Sequence, residues 1–293
     1  MARQLHRARL HFGHGTGNGS DEAATLIWHA LQLDWRAPPS IYQRAVSATE
    51  LRQVLSLVER RIAERVPAVY LTGTTWFAGL PIRTDPRALI PRSPLAELIE
   101  QRFAPWIEAH RVRDVLDLGT GSGCIAIACA HYLPRARVDA ADISAPALAL
   151  ARENVRLHEL SKRVRVVESD YFAALRRRRY DIIVSNPPYV GAREMRSLPA
   201  EYRHEPLIAL AAGRDGLDAV RAILRTAAAH LKPQGLLVVE VGNSENVVTR
   251  QFRAVPFTWL EFARGGGGVF LLTAQQLVRF APAIAAGIGR HVG

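Results

Sequence analysis

The sequence predicts an α/β fold, a doubly wound and mostly parallel sheet preceded by a small helical unit and a hairpin-like linker. Three observations predict it. From residue 114 onward, short apolar runs alternate with helical stretches, the rhythm of strand–helix–strand units. Residues 21 to about 66 carry apolar side chains at helical spacing. Between them, residues 69–90 set Gly73, Gly79, Pro81 and Pro86 among aromatic and β-branched residues, the punctuation of a hairpin. The chain divides accordingly into a helical domain (1–68), a linker (69–90), the sheet domain (91–280) and an Ala/Gly-rich, weakly ordered tail (281–293).

In the helical unit, Ser20 is the expected N-cap, with Asp21 and Glu22 favourable to the first-turn dipole. Trp28, Leu31 and Trp35 recur at three-to-four spacing. A second helix starts near Ser47 or Thr49, carries Leu51, Val54, Leu55, Val58 and Ile62 on one stripe, and ends at Pro67. In the sheet domain, strands are expected at 114–118, 137–141, 164–167, 181–185 and 236–241, with helices at 125–131 and 145–157. Late strands at 257–262 and 268–273 finish the sheet with an antiparallel member.

At 293 residues, the chain has material for about two domains. It is 48% hydrophobic and 22% charged, ordinary for a soluble protein. The formal net charge is +11, and Lys162 and Lys232 are the only lysines, so arginine carries it. The arginines are spread along the chain, which favours a coding bias over a nucleoprotein-binding surface. The run Arg176–Arg179 reads as a solvated connection, with contact to ribosomal RNA as its alternative. Cys124 and Cys129 would project about 140° apart on a helix, which suits buried free thiols and neither a shared metal nor a disulfide. No zinc spacing occurs, the basic first ten residues lack an apolar signal-peptide core, and no apolar run approaches the ~18 residues of a span. The expectation is a reduced, cytoplasmic protein without metal or membrane.

A glycine-rich turn, Gly119-Thr120-Gly121-Ser122-Gly123, follows the strand Val115-Leu116-Asp117-Leu118 directly and opens a helix. In a doubly wound sheet such a turn faces the ligand beyond the strand ends, and glycine lets the backbone approach it. Asp142 ends the next strand, placed to accept both ribose hydroxyls of an adenosine. The competing cofactor is a dinucleotide. Three details oppose it. The spacing is G-x-G-x-G rather than G-x-G-x-x-G. Asp117 can hold a cationic amino-acid moiety, directly or through water. Asp170 can meet an adenine amine, with Tyr171 or Phe172 stacked on the ring. Adenosine joined to methionine fits this set better than a pyrophosphate, which calls for positive charge.

The strand at 181–185 runs into Asn186-Pro187-Pro188-Tyr189, the most specific motif in the chain. The prolines fix φ and push the residues before them to extended geometry. The rigid turn then presents the Asn186 side-chain oxygen and the Pro187 carbonyl as convergent acceptors, matched to the two donors of an NH2 group on a planar carbon. Tyr189 can pack on the flat face of that target. The chemistry is in-line displacement at a sulfonium methyl. An amide nitrogen is a poor nucleophile, so positioning and polarisation must supply most of the rate. A plain proline-rich turn is the alternative reading.

These residues resemble the HemK-like protein-glutamine methyltransferases over nearly the whole chain. That resemblance implies a Rossmann-like class I methyltransferase fold, S-adenosylmethionine as cofactor and a glutamine side chain as target. One branch of the family modifies peptide release factors and the other large-subunit ribosomal protein three. The chain is similar to the ribosomal branch in Gly13-His14-Gly15-Thr16, in Trp76-Phe77, in Arg92-Ser93-Pro94, in residues 201–206, in Glu240-Val241-Gly242-Asn243-Ser244 and in residues 256–262. The release-factor branch usually has Arg-x-x-Thr-Glu in place of Arg92-Ser93-Pro94. The chain begins close to Gly13, so the first helix of the family's N-terminal unit is shortened. Pro188, Arg203 and His204 join Asn186, Pro187 and Tyr189 as expected substrate contacts, against a structural ion-pair role for the segment before Pro206. For His14, capping of its loop is favoured over substrate contact. Three other functions compete: release-factor glutamine methylation, adenine-amino methylation of a flipped nucleotide, which uses the same turn, and a noncatalytic ribosome-assembly factor that holds the cofactor structurally.

Overall fold

The computed structural model describes residues 1–34 and 36–289, so Trp35 and the last four residues lie outside it. The N-terminal unit holds α1 (Ala2–Arg7), α2 (Gly19–Ala30), α3 (Ala48–Glu64) and α4 (Ala68–Thr72). Asn18, not Ser20, caps α2: its Oδ1 accepts from the backbone N–H of Ser20 and Asp21, each at 2.9 Å. Ser47 caps α3 in a reciprocal box with Glu50, and Val54 and Val58 are buried along its stripe while Leu51 is exposed. That helix stops at Glu64 on left-handed Arg65, and Pro67 caps the short α4 instead of ending α3. The expected linker is therefore part helix. Its hairpin is β1 (Thr74–Phe77) paired antiparallel with β2 (Leu80–Arg83).

The larger unit contains α5 (Leu95–Glu100), β3 (Asp114–Leu118), α6 (Cys124–Tyr132), β4 (Arg137–Asp142), α7 (Ala145–Leu157), β5 (Val164–Glu168), β6 (Tyr180–Ser185) and α8 (Ala192–Met195). It continues through α9 (Asp218–His230), β7 (Leu231–Glu240), α10 (Glu245–Gln251), β8 (Thr258–Trp259), β9 (Val269–Thr273), α11 (Ala274–Arg279) and α12 (Ala281–Gly289). The seven-stranded sheet has the order β5-β4-β3-β6-β7-β9-β8. Only β9 runs against its neighbours, as the sequence predicts for its last strands. The order reverses at β3, between β4 and β6. That is the switch point where open α/β sheets hold ligands.

Two boundaries moved for identifiable reasons. β7 begins five residues before the apolar run because the pairing with β6 shifts between Tyr180 and Ile182, where a bulge absorbs residues 232–235. The tail expected to be weakly ordered is helical to Gly289. Ile284 is buried, and the Gly287 carbonyl accepts from Gln251 Nε2 at 2.6 Å. A Cβ at Gly287 would lie 2.4 Å from the Phe252 ring, so the helix packs closely because the residue is glycine. The two sheet faces carry separate cores: β3, β4, β6 and β7 send alternate side chains to α5 and α6 on one side and to α9 and α11 on the other. Cys124 and Cys129 are free and buried in α6, and burial pushes the Cys124 thiol up to about 12.

The helical unit meets the sheet domain through charge. Arg61 is fully buried, with Nε 2.8 Å from Glu22 and a guanidinium nitrogen 3.0 Å from the His11 carbonyl. Glu201, from the larger unit, is also fully buried. It lies 3.5 Å from Arg61 and 2.8 Å from Arg65, and accepts the His11 backbone N–H at 3.0 Å.

Candidate active site

A cavity of about 300 Å³ opens at the switch point, at the carboxyl ends of β3, β4, β5 and β6. Its floor is the glycine turn. Gly119, Gly121 and Gly123 have φ of 76°, 55° and 82°, values that L side chains rarely adopt. The Gly119 and Thr120 N–H groups bond to the Ala141 carbonyl, which ties the turn to β4. Gly119, Thr120, Gly121 and Ser122 line the cavity. Gly123 serves helix packing instead: a Cβ there would press on Ala151 of α7 at 3.2 Å.

Asp117 is fully buried under the turn and is not itself among the residues that line the cavity. Its Oδ2 accepts the Thr120 hydroxyl at 2.5 Å and the Ala126 N–H at 3.0 Å, so it shapes the turn and caps α6. Its Oδ1 is buried with no hydrogen-bond partner among the described residues. Burial pushes its pKa up to about 7 against those two donors. A cationic moiety nearby would restore the charged form.

Asp142 lines the cavity at the end of β4. Its oxygens accept the Gly121 and Ser144 N–H groups at 2.8 and 2.9 Å, and burial raises its pKa. Each oxygen keeps a lone pair for a hydroxyl. Ile143, more than half exposed, projects beside it into the same cavity. Asp170 and Tyr171 also line the cavity, Tyr171 at a positive φ of 44°. Phe172 does not. It is buried in the core and stacks on His230 at 4.7 Å, because the turn at Tyr171 sends the two aromatics to opposite sides. Of the two candidate stacking rings, only Tyr171 faces the ligand space.

The turn after β6 stands over Gly119. A Cβ on Gly119 would lie 4.0 Å from the Asn186 carbonyl and from Pro187 Cα, an ordinary packing distance, so the two segments are neighbours and the positive φ of Gly119 is what calls for glycine. Asn186 and Pro188 line the cavity; Pro187, which is buried, and the half-buried Tyr189 are not among its lining residues. Asn186 Oδ1 is buried and has no hydrogen-bond partner among the described residues. A buried carbonyl oxygen left so is costly, and an N–H of the ligand would satisfy it.

Arg203 and His204 do not line this cavity. The His204 ring nitrogen bonds the Glu64 carbonyl at the end of α3, and Arg203 is exposed. Glu205 takes a two-pronged bond from Arg92 and faces the buried His14 at 3.5 Å. Burial and the Arg92 charge push His14 down to about 3, so it is neutral. The segment before Pro206 thus joins the two units, the structural role weighed for it. In the run Arg176–Arg179, Arg178 pairs with Asp139 at 3.0 Å and Arg179 bonds the Leu231 carbonyl. Pro206, the exposed Ile208, and residues 87–93 after the hairpin also line the cavity. Sequence reasoning missed these and Ile143. The available signal was an apolar residue directly after a strand-ending acid. Among the described residues, no group of three or more His, Cys, Asp or Glu gathers as for a metal.

Residues 100–201 match the family model of the methyltransferase small domain. A ribosomal protein uL3 glutamine methyltransferase of Xylella fastidiosa strain Temecula1 is 51% identical over 97% of this chain and 91% of its own length. The chain belongs to the ribosomal protein uL3 glutamine methyltransferase family. A member from Neisseria meningitidis serogroup A is 46% identical over 94% of this chain and 91% of its own length. The hMettl16 catalytic domain, solved in complex with a MAT2A 3'UTR hairpin, shares the fold at a TM-score of 0.52 and 18% identity, covering 85% of this chain and 91% of that one. The fold is the one expected: an α/β methyltransferase with a mostly parallel sheet.

Proposed function

We propose that this chain transfers a methyl group from S-adenosylmethionine to the side-chain amide nitrogen of a glutamine in large-subunit ribosomal protein three, the uL3 of its relatives' names. The buried, unpartnered Asn186 Oδ1 above the glycine turn carries the reading. One amide N–H of the target donates to Asn186 Oδ1 and the other to the Pro187 carbonyl. This fixes the amide plane and turns the face of the nitrogen towards the cavity. The cofactor supplies an electrophilic methyl on a sulfonium. Both acceptors would draw positive charge from the nitrogen as it bonds the methyl carbon and the carbon–sulfur bond breaks, the electron pair leaving on sulfur as a neutral thioether. The acidified N–H would then lose its proton to water without a dedicated base. Asp142 would hold the ribose hydroxyls, Tyr171 the adenine face and Asp170 its amine, while Asp117, buried under the turn, would favour the positive charge of the amino-acid end.

The helical unit before Pro67 selects the protein substrate. It contributes none of the cofactor or acceptor residues, and it exposes Tyr42, whose ring leans on Trp28 at 5.5 Å. The protein works where ribosomal proteins are made, in the cytoplasm. Among the described residues, no helix is long and apolar enough to cross a membrane.

Labelled cofactor and an extract from cells lacking the activity provide the test. Label should enter one protein of the large ribosomal subunit, on a glutamine. Label in nucleic acid would make the target an adenine amine, and no transfer at all would remove the enzymatic reading. Asp142→Ala should weaken cofactor binding by roughly 1.5–3 kcal/mol, the scale of lost hydrogen bonds to a charged acceptor. A dissociation constant unchanged by calorimetry would mean the ribose lies elsewhere.

A further inference from the structure

Glu240 ends β7 directly after four buried apolar residues, Leu236–Val239, and is itself 3% exposed. A carboxyl in such a place is costly unless donors surround it. Two hydroxyls do. Ser93 donates to Oε2, and Tyr189 of the acceptor turn donates to Oε1 at 3.4 Å. The Ser93 oxygen also accepts the Leu95 N–H at 3.1 Å, which leaves its own hydrogen directed at Glu240.

The same stretch of chain holds Tyr189 in two further ways. Gly242 has φ of 46°, and a Cβ there would lie 2.7 Å from Cε2 of the Tyr189 ring, so the backbone packs close against the hydroxyl end of the ring. Ser244 Oγ donates to the Tyr189 carbonyl at 2.9 Å. The ring therefore has its hydroxyl end against the Gly242 backbone and its hydroxyl on a buried carboxyl. The prolines before it leave the backbone little freedom to compensate a tilt.

We propose that Glu240, braced by Ser93, is a positioning residue for the acceptor site: it fixes the Tyr189 ring and so the slot in which the planar target amide lies against Asn186. This rests on the reading of Asn186–Tyr189 as the acceptor turn. Glu240 touches neither substrate nor cofactor. Its effect passes through the Tyr189 hydroxyl, so it alters alignment at the reacting nitrogen and leaves the cofactor's contacts at Asp142 and the glycine turn unchanged.

The test is steady-state kinetics of the full chain on intact ribosomal protein, with cofactor affinity measured in parallel. Glu240→Ala should lower kcat by about 10- to 100-fold, the scale of a misalignment at the reacting atoms, with the cofactor dissociation constant within about twofold. Glu240→Gln, which can still accept from one hydroxyl, should keep kcat within about threefold of wild type. Tyr189→Phe removes the hydroxyl and preserves the ring. It should lower kcat like Glu240→Ala, and the double variant should lose no more than either alone, the signature of a shared interaction. Should Glu240→Ala fail to fold, Tyr189→Phe and Glu240→Gln still decide. Full activity of Tyr189→Phe, additive losses in the double variant, or Glu240→Gln as impaired as Glu240→Ala would each overturn the proposal. A wild-type chain that methylates no glutamine would instead overturn the functional reading beneath it.

Discussion

Asn186→Ala is expected to bind S-adenosylmethionine nearly as well as the wild type and to lose roughly 10²- to 10³-fold or more in kcat. The reason is where the side chain's oxygen stands. Oδ1 is buried and bonded to nothing among the described residues, while the turn that carries it is fixed by two prolines. It is an acceptor held ready for an N–H that arrives with the substrate. Alanine removes the acceptor and leaves the ribose and amino-acid ends of the cavity intact. Single-turnover transfer, with cofactor affinity measured by calorimetry, separates the two effects. Near-wild-type turnover would exclude Asn186 from the chemistry.

Arg61→Met should destabilise the protein by about 3–5 kcal/mol, the scale on which removing one partner strands a buried charge. Arg61 is fully buried between Glu22 and Glu201, both also buried; Glu201 keeps Arg65 at 2.8 Å, so Glu22 is the carboxylate left without a cation when the guanidinium is lost. Adding Glu22→Gln should recover part of that loss, because one stranded charge is then gone. Denaturant midpoints for the two variants check both statements. A change below about 1 kcal/mol for Arg61→Met would mean that water reaches this interface, where a surface pair contributes little.

The sheet domain was legible because parallel strands buried on both faces write themselves as short apolar runs, and turns write themselves in glycine and proline. The strand at Asp114–Leu118 and the helix at Ala145–Leu157 fall where the sequence places them. The cofactor turn and Asn186–Tyr189 were legible for the same reason, since their chemistry is local in sequence. What was not legible is non-local. Asn18 takes the cap from Ser20 through one side-chain geometry that a capping preference cannot rank. Glu22 reads as a first-turn dipole partner, yet it is buried against Arg61, 39 positions away. Glu240 and Ser93 meet across 147 positions, and nothing adjacent to either announces the other. Phe172 and Tyr171 are equivalent aromatics in the sequence, and one backbone torsion separates their fates.

The place of β9 matters for how the chain leaves the ribosome. β7 is hydrogen-bonded on one side to β6 and on the other only to β9, which lies some thirty residues further along. While those residues are still unsynthesised, β7 presents an open edge flanked by two apolar faces, the kind of edge that recruits strands from other chains. The last strand is thus the guard of the sheet as well as its final member. A protein interrupted between Val241 and Val269 has every residue of the proposed cofactor and acceptor sites, and still exposes the surface most prone to aggregate.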